Sequence, residues 1–277
     1  MSEPNRNPFE TPHPGGVRLL QGTLRVVVAL QCFGLAAARL HQHRPDLLCE
    51  FLGKARNVPD DQISHIANLV AYGMIVCGVF TLLRPATFVL LPVIIYQAAM
   101  PVTIVMQQSG MAAMLSPALQ STRAMAPLAL LLVDFWPPRL KPGLLACLAA
   151  VSFLKLGTVI TLAGWCALFL DQCQHGGALV EQLQQVMLRV LQRQLDAEQA
   201  QRALGILGAL SAALALSLLS GRNRTIAAFT VLFGLMLAAS ETLAAGKAGY
   251  DETLMRISEA GAPLGVLIFW IKAIREQ

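Results

Sequence analysis

Charge is what this chain has least of. Of its 277 residues 13% are Asp, Glu, Lys or Arg, about half the share usual in soluble domains. Hydrophobic residues make up 55%, and mean hydropathy is +0.58. That shortage excludes a disordered chain, a nucleic-acid-binding domain with a basic face, and most soluble enzymes. Catalytic signatures are absent too: there is no nucleotide-binding glycine loop, no G-x-S-x-G elbow, no H-E-x-x-H pair and no dinucleotide fingerprint. An enzyme working without a partner is therefore poorly supported. The N-terminal stretch MSEPNRNPFETPHPGG (residues 1–16) has no apolar core and no small-residue cleavage site. It reads as a flexible cytoplasmic tail rather than a signal peptide.

The six cysteines form no C-x-x-C pair and no zinc-type spacing with histidine. Cys32, Cys77 and Cys166 lie in apolar stretches, where a thiol packs as a small hydrophobe. Cys49 and Cys173 fall in polar connectors expected on one side of the membrane, and either a bridge or two separate thiols fits that placement. None of His13, His41, His43, His65 and His175 falls mid-span, which disfavours haem held between helices; solvated loop residues are the simpler reading, and no metal is assigned.

What is present is long apolar runs. Crossing about 30 Å of hydrocarbon takes about 20 mostly apolar residues, and eight segments approach that, near 22–40, 66–83, 86–106, 117–136, 144–170, 203–220, 225–245 and 257–274. The runs are too continuous for barrel strands, so an all-α integral membrane protein is expected. The fourth and eighth are interrupted by Arg123 and Glu259. The short connectors carrying Arg84, Arg139 with Lys141, and Arg222 with Arg224 are purely basic. The positive-inside rule then puts both termini in the cytoplasm. The net charge of +5 reflects this orientation rather than a nucleic-acid partner.

An internal repeat runs through the pattern. Ala-Pro-Leu at 126–128 recurs at 262–264, each followed by a closing Trp, at Trp136 and Trp270. Arg25 stands nine residues before Gly34, and Lys155 nine before Gly164. The order of long, short and medium connectors also repeats. The reading is a tandem pair of four-helix units, residues 17–138 and 139–277. With an even number of spans per unit, the repeats are parallel about an axis along the membrane normal.

Within each unit, a basic residue opens the first span, a Gly follows, and a Gly-containing second span ends at a basic turn: Arg25, Gly34, Arg39, Gly73, Gly78 and Arg84, then Lys155, Gly164, Gly205 and Gly208. On these residues the unit resembles the DoxX-like membrane protein family, which includes the DoxD and MauE types. The resemblance implies a bacterial inner-membrane protein, in some cases linked to quinone or thiol redox chemistry.

Polar residues inside spans cost about 2.5–3.5 kcal/mol each on insertion scales and so call for a partner or an aqueous path. Aligning the two Ala-Pro-Leu motifs places Arg123 and Glu259 at equivalent positions, which admits an ion pair between units, or an Arg at the interface and a Glu in a wet outer vestibule. Glu241, Tyr96 and Gln97 could join them around a pocket for a quinone headgroup or small solute, or simply hydrogen-bond between helices. Residues 178–195 form an amphipathic helix with Leu179, Leu183, Val186 and Val190 on one face, and 44–62 carry a shorter version. These connectors mark the outer face as a surface for other membrane-complex subunits. The leading expectation is an accessory or assembly subunit of a membrane complex, with no catalytic residue. The alternatives are a quinone- or redox-linked protein and a small-solute transporter. Beyond the bilayer no partner is named, and quinone is the one cofactor in view.

Overall fold

The computed structural model describes residues 14–134 and 143–274. Among these, every regular element is helical. The first half holds α1 (Pro14–Leu40), α2 (Leu47–Ala55), α3 (Asp60–Leu83), α4 (Thr87–Gln107), α5 (Met111–Met114), α6 (Ser116–Leu119) and α7 (Ser121–Val133). The second holds α8 (Leu144–His175), α9 (Ala178–Leu191), α10 (Ala197–Ser220), α11 (Arg224–Ala245) and α12 (Tyr250–Ile274). The boundary proposed from sequence near 137–143, with Trp136, Arg139 and Lys141, lies almost wholly outside the described residues, as do residues 1–13.

Six stretches are long and apolar enough to cross a membrane: Gly15–Leu40, Asp60–Leu83, Thr87–Gln107, Leu144–His175, Ala197–Ser220 and Arg224–Ile271. The chain is thus an all-α protein of membrane character. The last stretch folds back at a single 3-10 turn, Gly246–Gly249, into α11 and α12. The segment expected as a fourth span, 117–136, departs from expectation. It is divided between the end of α6 and α7, and α7 has only 13 residues. Pro117 near the start of α6 lacks an N–H, so no continuous ladder runs through it. Local chemistry sets the other boundaries. Asp46, Asp196 and Asn223 each accept backbone N–H groups at the first turn of α2, α10 and α11. Gln192, in left-handed conformation at φ 53°, stops α9 before residue 195.

Helix α12 is the hub. It packs against α1, α11, α8 and α7. A Cβ on Gly34 would stand 2.7 Å from the Met255 nitrogen, and one on Gly261 would stand 2.2 Å from Val27. Since residue numbers run in opposite senses along this seam, α1 and α12 are antiparallel. The α11–α12 hairpin is tighter still: a Cβ on Gly234 would lie 2.2 Å from the Glu259 carbonyl oxygen, and one on Gly249 2.4 Å from that of Glu241. Without a hydrophobic driving force between helices in lipid, such small-residue seams supply association through close van der Waals contact. On the outside, Leu69, Leu83, Phe88, Ile206 and Leu216 are exposed, as a lipid-facing surface requires.

Because backbone cannot yield as a side chain can, Gly234→Ala should lower unfolding stability in detergent by about 1–3 kcal/mol. Gly73→Ala, where nothing lies within 4 Å, should leave it unchanged to within about 0.5 kcal/mol. Thermal melts of the two variants side by side check this.

Candidate functional site

The polar residues of this apolar chain converge at the end of the bundle where α1 and α4 finish and α12 begins. A cavity of about 410 Å³ opens there. Its walls include Arg39 from α1, Tyr96 and Gln97 from α4, Arg123 from α7, Trp165 from α8, and Glu252, Arg256 and Glu259 from α12. The three α12 residues sit at i, i+4 and i+7, so one helix face delivers them together.

An ionic network forms one wall. Glu252 Oε1 accepts from Arg123 Nη2 at 2.9 Å and from Arg256 Nε at 2.8 Å. Its other oxygen lies 3.8 Å from Arg44 Nη1, which also pairs with the fully buried Asp251 at 3.3 Å. Arg256 Nη2 in turn reaches Glu241 Oε1 on α11 at 3.3 Å, and its guanidinium lies 5.3 Å from the centre of the Trp165 ring. Glu259 belongs to a different arrangement. Its Oε2 accepts from Trp165 Nε1 at 3.0 Å, and Trp165 is stacked on Phe169 at 5.2 Å.

The opposite wall is pinned from the connector. Asp46 Oδ1 caps α2, while Oδ2 accepts from the Tyr96 hydroxyl at 2.9 Å. Arg39 donates to Asn68 at 2.9 Å and to the Ser64 hydroxyl at 2.6 Å. In α2, outside the spanning helices, burial and then the Asp46 carboxylate push the Cys49 thiol up to about 12. All six cysteines are free, so Cys49 and Cys173 are not bridged.

Three donors in this region have no acceptor: Gln97 Nε2, Arg123 Nε and Arg256 Nη1. Gln97 is 2% exposed and Arg123 8%. A buried N–H left unpaired costs about 1–3 kcal/mol, so three such donors on residues around one cavity call for an acceptor. The arrangement can therefore hold a small molecule by its carbonyl-type oxygens.

Of the five residues expected around a pocket, Tyr96, Gln97, Arg123 and Glu259 line this cavity, and Glu241 stands behind it, bridged through Arg256. The Arg123–Glu259 ion pair considered from the repeat alignment is replaced by Arg123–Glu252, seven residues earlier on α12. On α9, Leu179, Leu183 and Val186 line a smaller apolar recess against α8, α10 and α11, while Val190 is exposed. Arg25 pairs with Asp134 at 2.5 Å. Glu252 and Arg256 were missed from sequence because the eighth span was started at 257. The signal was their spacing with Glu259. Comparison with protein-family models, with curated proteins and with solved structures finds no match for this chain.

Glu252→Ala strands guanidinium groups that now share one carboxylate. It should cost about 3–5 kcal/mol, the range for removing one partner of a buried ion pair, measured by chemical unfolding in micelles. At Cys49 the expected readout is reactivity. Alkylation by a maleimide should be slow at neutral pH and rise steeply only in strong alkali. Asp46→Asn keeps the helix cap but removes the charge, which should lower the thiol pKa and speed labelling.

Proposed function

We infer that this chain is a multi-pass membrane protein that binds a small uncharged molecule through carbonyl-type acceptors, and that a quinone headgroup is the ligand of that chemistry. The observation that carries the reading is the convergence of Tyr96, Gln97, Arg123 and Glu259 on one cavity with three unpartnered N–H donors. At about 410 Å³ it falls within the range of roughly 300–1,000 Å³ typical of small-molecule sites. Three of the cavity's four arginines already face acids, Arg123, Arg256 and Arg44 against Glu252, Glu241 and Asp251, and the fourth, Arg39, is held by the Asn68 and Ser64 side chains. Gln97 and Arg123 are the residues that would hold the ligand's oxygens, with Trp165 as a flat wall.

The architecture we propose around this site is eight helices in two DoxX-like units, related by an axis between α7 and α12. Its support is the pattern of packing: α1 lies on α3 and α12, as α8 lies on α10 and α7. Thr122 and Ser258, 136 residues apart, bring their hydroxyls to 3.4 Å, the offset that aligns the two Ala-Pro-Leu motifs. The basic connectors support an inner-membrane orientation with both termini in the cytoplasm, and the cavity then opens outward. A role as an accessory subunit leaned on the apolar face of α9. With three of its four residues against the bundle, the cavity carries more of the argument than the connector does. A solute transporter would use the same cavity and is separated from quinone binding by the ligand found.

The test is a titration of purified protein with a short-chain ubiquinone analogue, read by quenching of tryptophan emission. Saturable quenching is expected, with Trp165→Phe reducing its amplitude. Gln97→Leu should weaken affinity about tenfold, the worth of one hydrogen bond to a buried donor. Binding untouched by Gln97→Leu, or no saturable binding at all, would sink the reading.

A further inference from the structure

Two glutamates of α12 face the same cavity with opposite surroundings. Glu252 gathers three guanidinium groups, from Arg44, Arg123 and Arg256. Glu259, two turns further along, gathers none within ion-pair distance and has the Trp165 indole N–H as its one hydrogen-bond donor among the described residues. It is 4% exposed, and its backbone carbonyl packs against α11 at Gly234. The charged groups around the cavity with it are Glu252 and Arg256 on its own helix, Arg123 on α7, Arg39 of α1, Arg44 and Asp46 of the connector after α1 and, through Arg256, Glu241 on α11. Arg123 directs its bonded nitrogen at Glu252, and Arg256 directs its own at Glu252 and Glu241.

The surrounding count also leaves one acid over. Arg39, Arg44, Arg123 and Arg256 stand against Asp46, Asp251, Glu252, Glu259 and Glu241, four positive charges to five negative. An uncompensated carboxylate in a membrane interior is expensive, and the cheapest relief is to take up a proton. Among the described residues Asp46 and Glu259 have no cation within ion-pair distance; Asp46 accepts from two backbone N–H groups and the Tyr96 hydroxyl, whereas Glu259 has one donor, so Glu259 is the member to carry it. A protonated carboxyl is also a donor, where a carboxylate is an acceptor only. It would add a donor from α12 to the unpartnered donors that Gln97, Arg123 and Arg256 carry around the cavity.

We propose that Glu259 is a proton-binding site of the cavity, its carboxyl holding a proton and offering it as a hydrogen bond to the oxygen of a bound acceptor. A proton from solution goes onto a carboxylate oxygen of Glu259, and no bond within the ligand changes. The ligand half of this statement rests on the reading above; the proton half stands on the surroundings of Glu259 without any ligand.

Infrared difference spectra of the purified full chain in lipid nanodiscs test it, stepping the pH from about 5 to about 9. The wild type should show a carboxylic-acid carbonyl band that fades as pH rises. Glu259→Gln should lose it, while Glu252→Gln and Glu241→Gln keep it. A wild type without a titrating band, or a band that survives Glu259→Gln, overturns the proposal. Should Glu259→Gln fold poorly, treatment of wild type with dicyclohexylcarbodiimide, which adds to protonated carboxyls, gives a variant-free readout by peptide mass spectrometry. An adduct on Glu259 at acid pH is expected, and its absence there, or an adduct on Glu252 or Glu241 instead, counts against the site. The ubiquinone analogue should bind wild type at least tenfold more tightly at the acid end than at the alkaline end, and Glu259→Gln should flatten that dependence. If the analogue fails to bind while the band persists, the quinone reading falls and the proton site stands. If it binds and no band is found, the reverse holds.

Discussion

The ion cluster on α12 is the constraint around which the rest of the bundle is arranged. A chain with this little charge places Asp251, Glu252, Arg256 and Glu259 on one helix and buries or half-buries all four. Each unpaired charge in hydrocarbon would cost several kcal/mol, so α12 holds its position only if other helices bring compensating groups. They do so from separate parts of the chain: Arg44 after α1, Arg123 from α7, Trp165 from α8 and Glu241 from α11. The cluster therefore ties together elements that are remote in sequence. Because the energy of a buried ion pair depends steeply on geometry, it also fixes their register.

Compensation at these distances needs helices to approach closely, and here the glycines act. Gly34 and Gly261 set the α1–α12 seam, and Gly234 with Gly249 sets the α11–α12 seam. Side chains at those positions would hold the helices apart and lengthen the 3.3 Å contacts of Glu241 with Arg256 and of Arg44 with Asp251. Apolar packing and polar pairing are in this sense one constraint. The α11–α12 seam that gives van der Waals contact is the one that brings Glu241 to Arg256, on which Glu252 of the same helix already lies.

The helical class and most element positions were legible in the sequence, because hydropathy is dominated by runs that no soluble fold would tolerate. The convergence of Tyr96, Gln97, Arg123 and Glu259 was legible for a related reason: polar residues in such runs are rare enough to stand out. The broken fourth segment was less so. Its composition is largely apolar after Arg123, and only Ser116-Pro117 and the Gln120 turn mark the cuts. Glu252 and Arg256 were hidden by the habit of ending a span where charge begins, although a helix inside a protein can carry charge into the membrane when neighbours satisfy it. Which acid Arg123 would choose was beyond reach. The repeat offset pointed to Glu259, whereas the choice depends on side-chain direction and on competition from Arg256.

That mismatch bears on the asymmetry of the cavity. Under the two-unit reading, the offset of 130 that relates Arg25 to Lys155 also sets Leu35 against Trp165 and Arg39 against Phe169. In the first unit Arg39 reaches polar partners in α3 and leaves room beside Tyr96 and Gln97. In the second, the stacked pair Trp165 and Phe169 fills the corresponding space, leaving a recess of about 120 Å³ under α9 with almost entirely apolar walls. Trp165 still points its indole N–H toward the first unit's cavity, at Glu259. On that reading one copy would have given up its own pocket to complete the other's, and the asymmetry of Arg123 and Glu259 at matched positions would follow from the same division. Two identical acids or two identical arginines near the shared axis would repel each other, so a duplicated unit that keeps charge there must let its halves diverge.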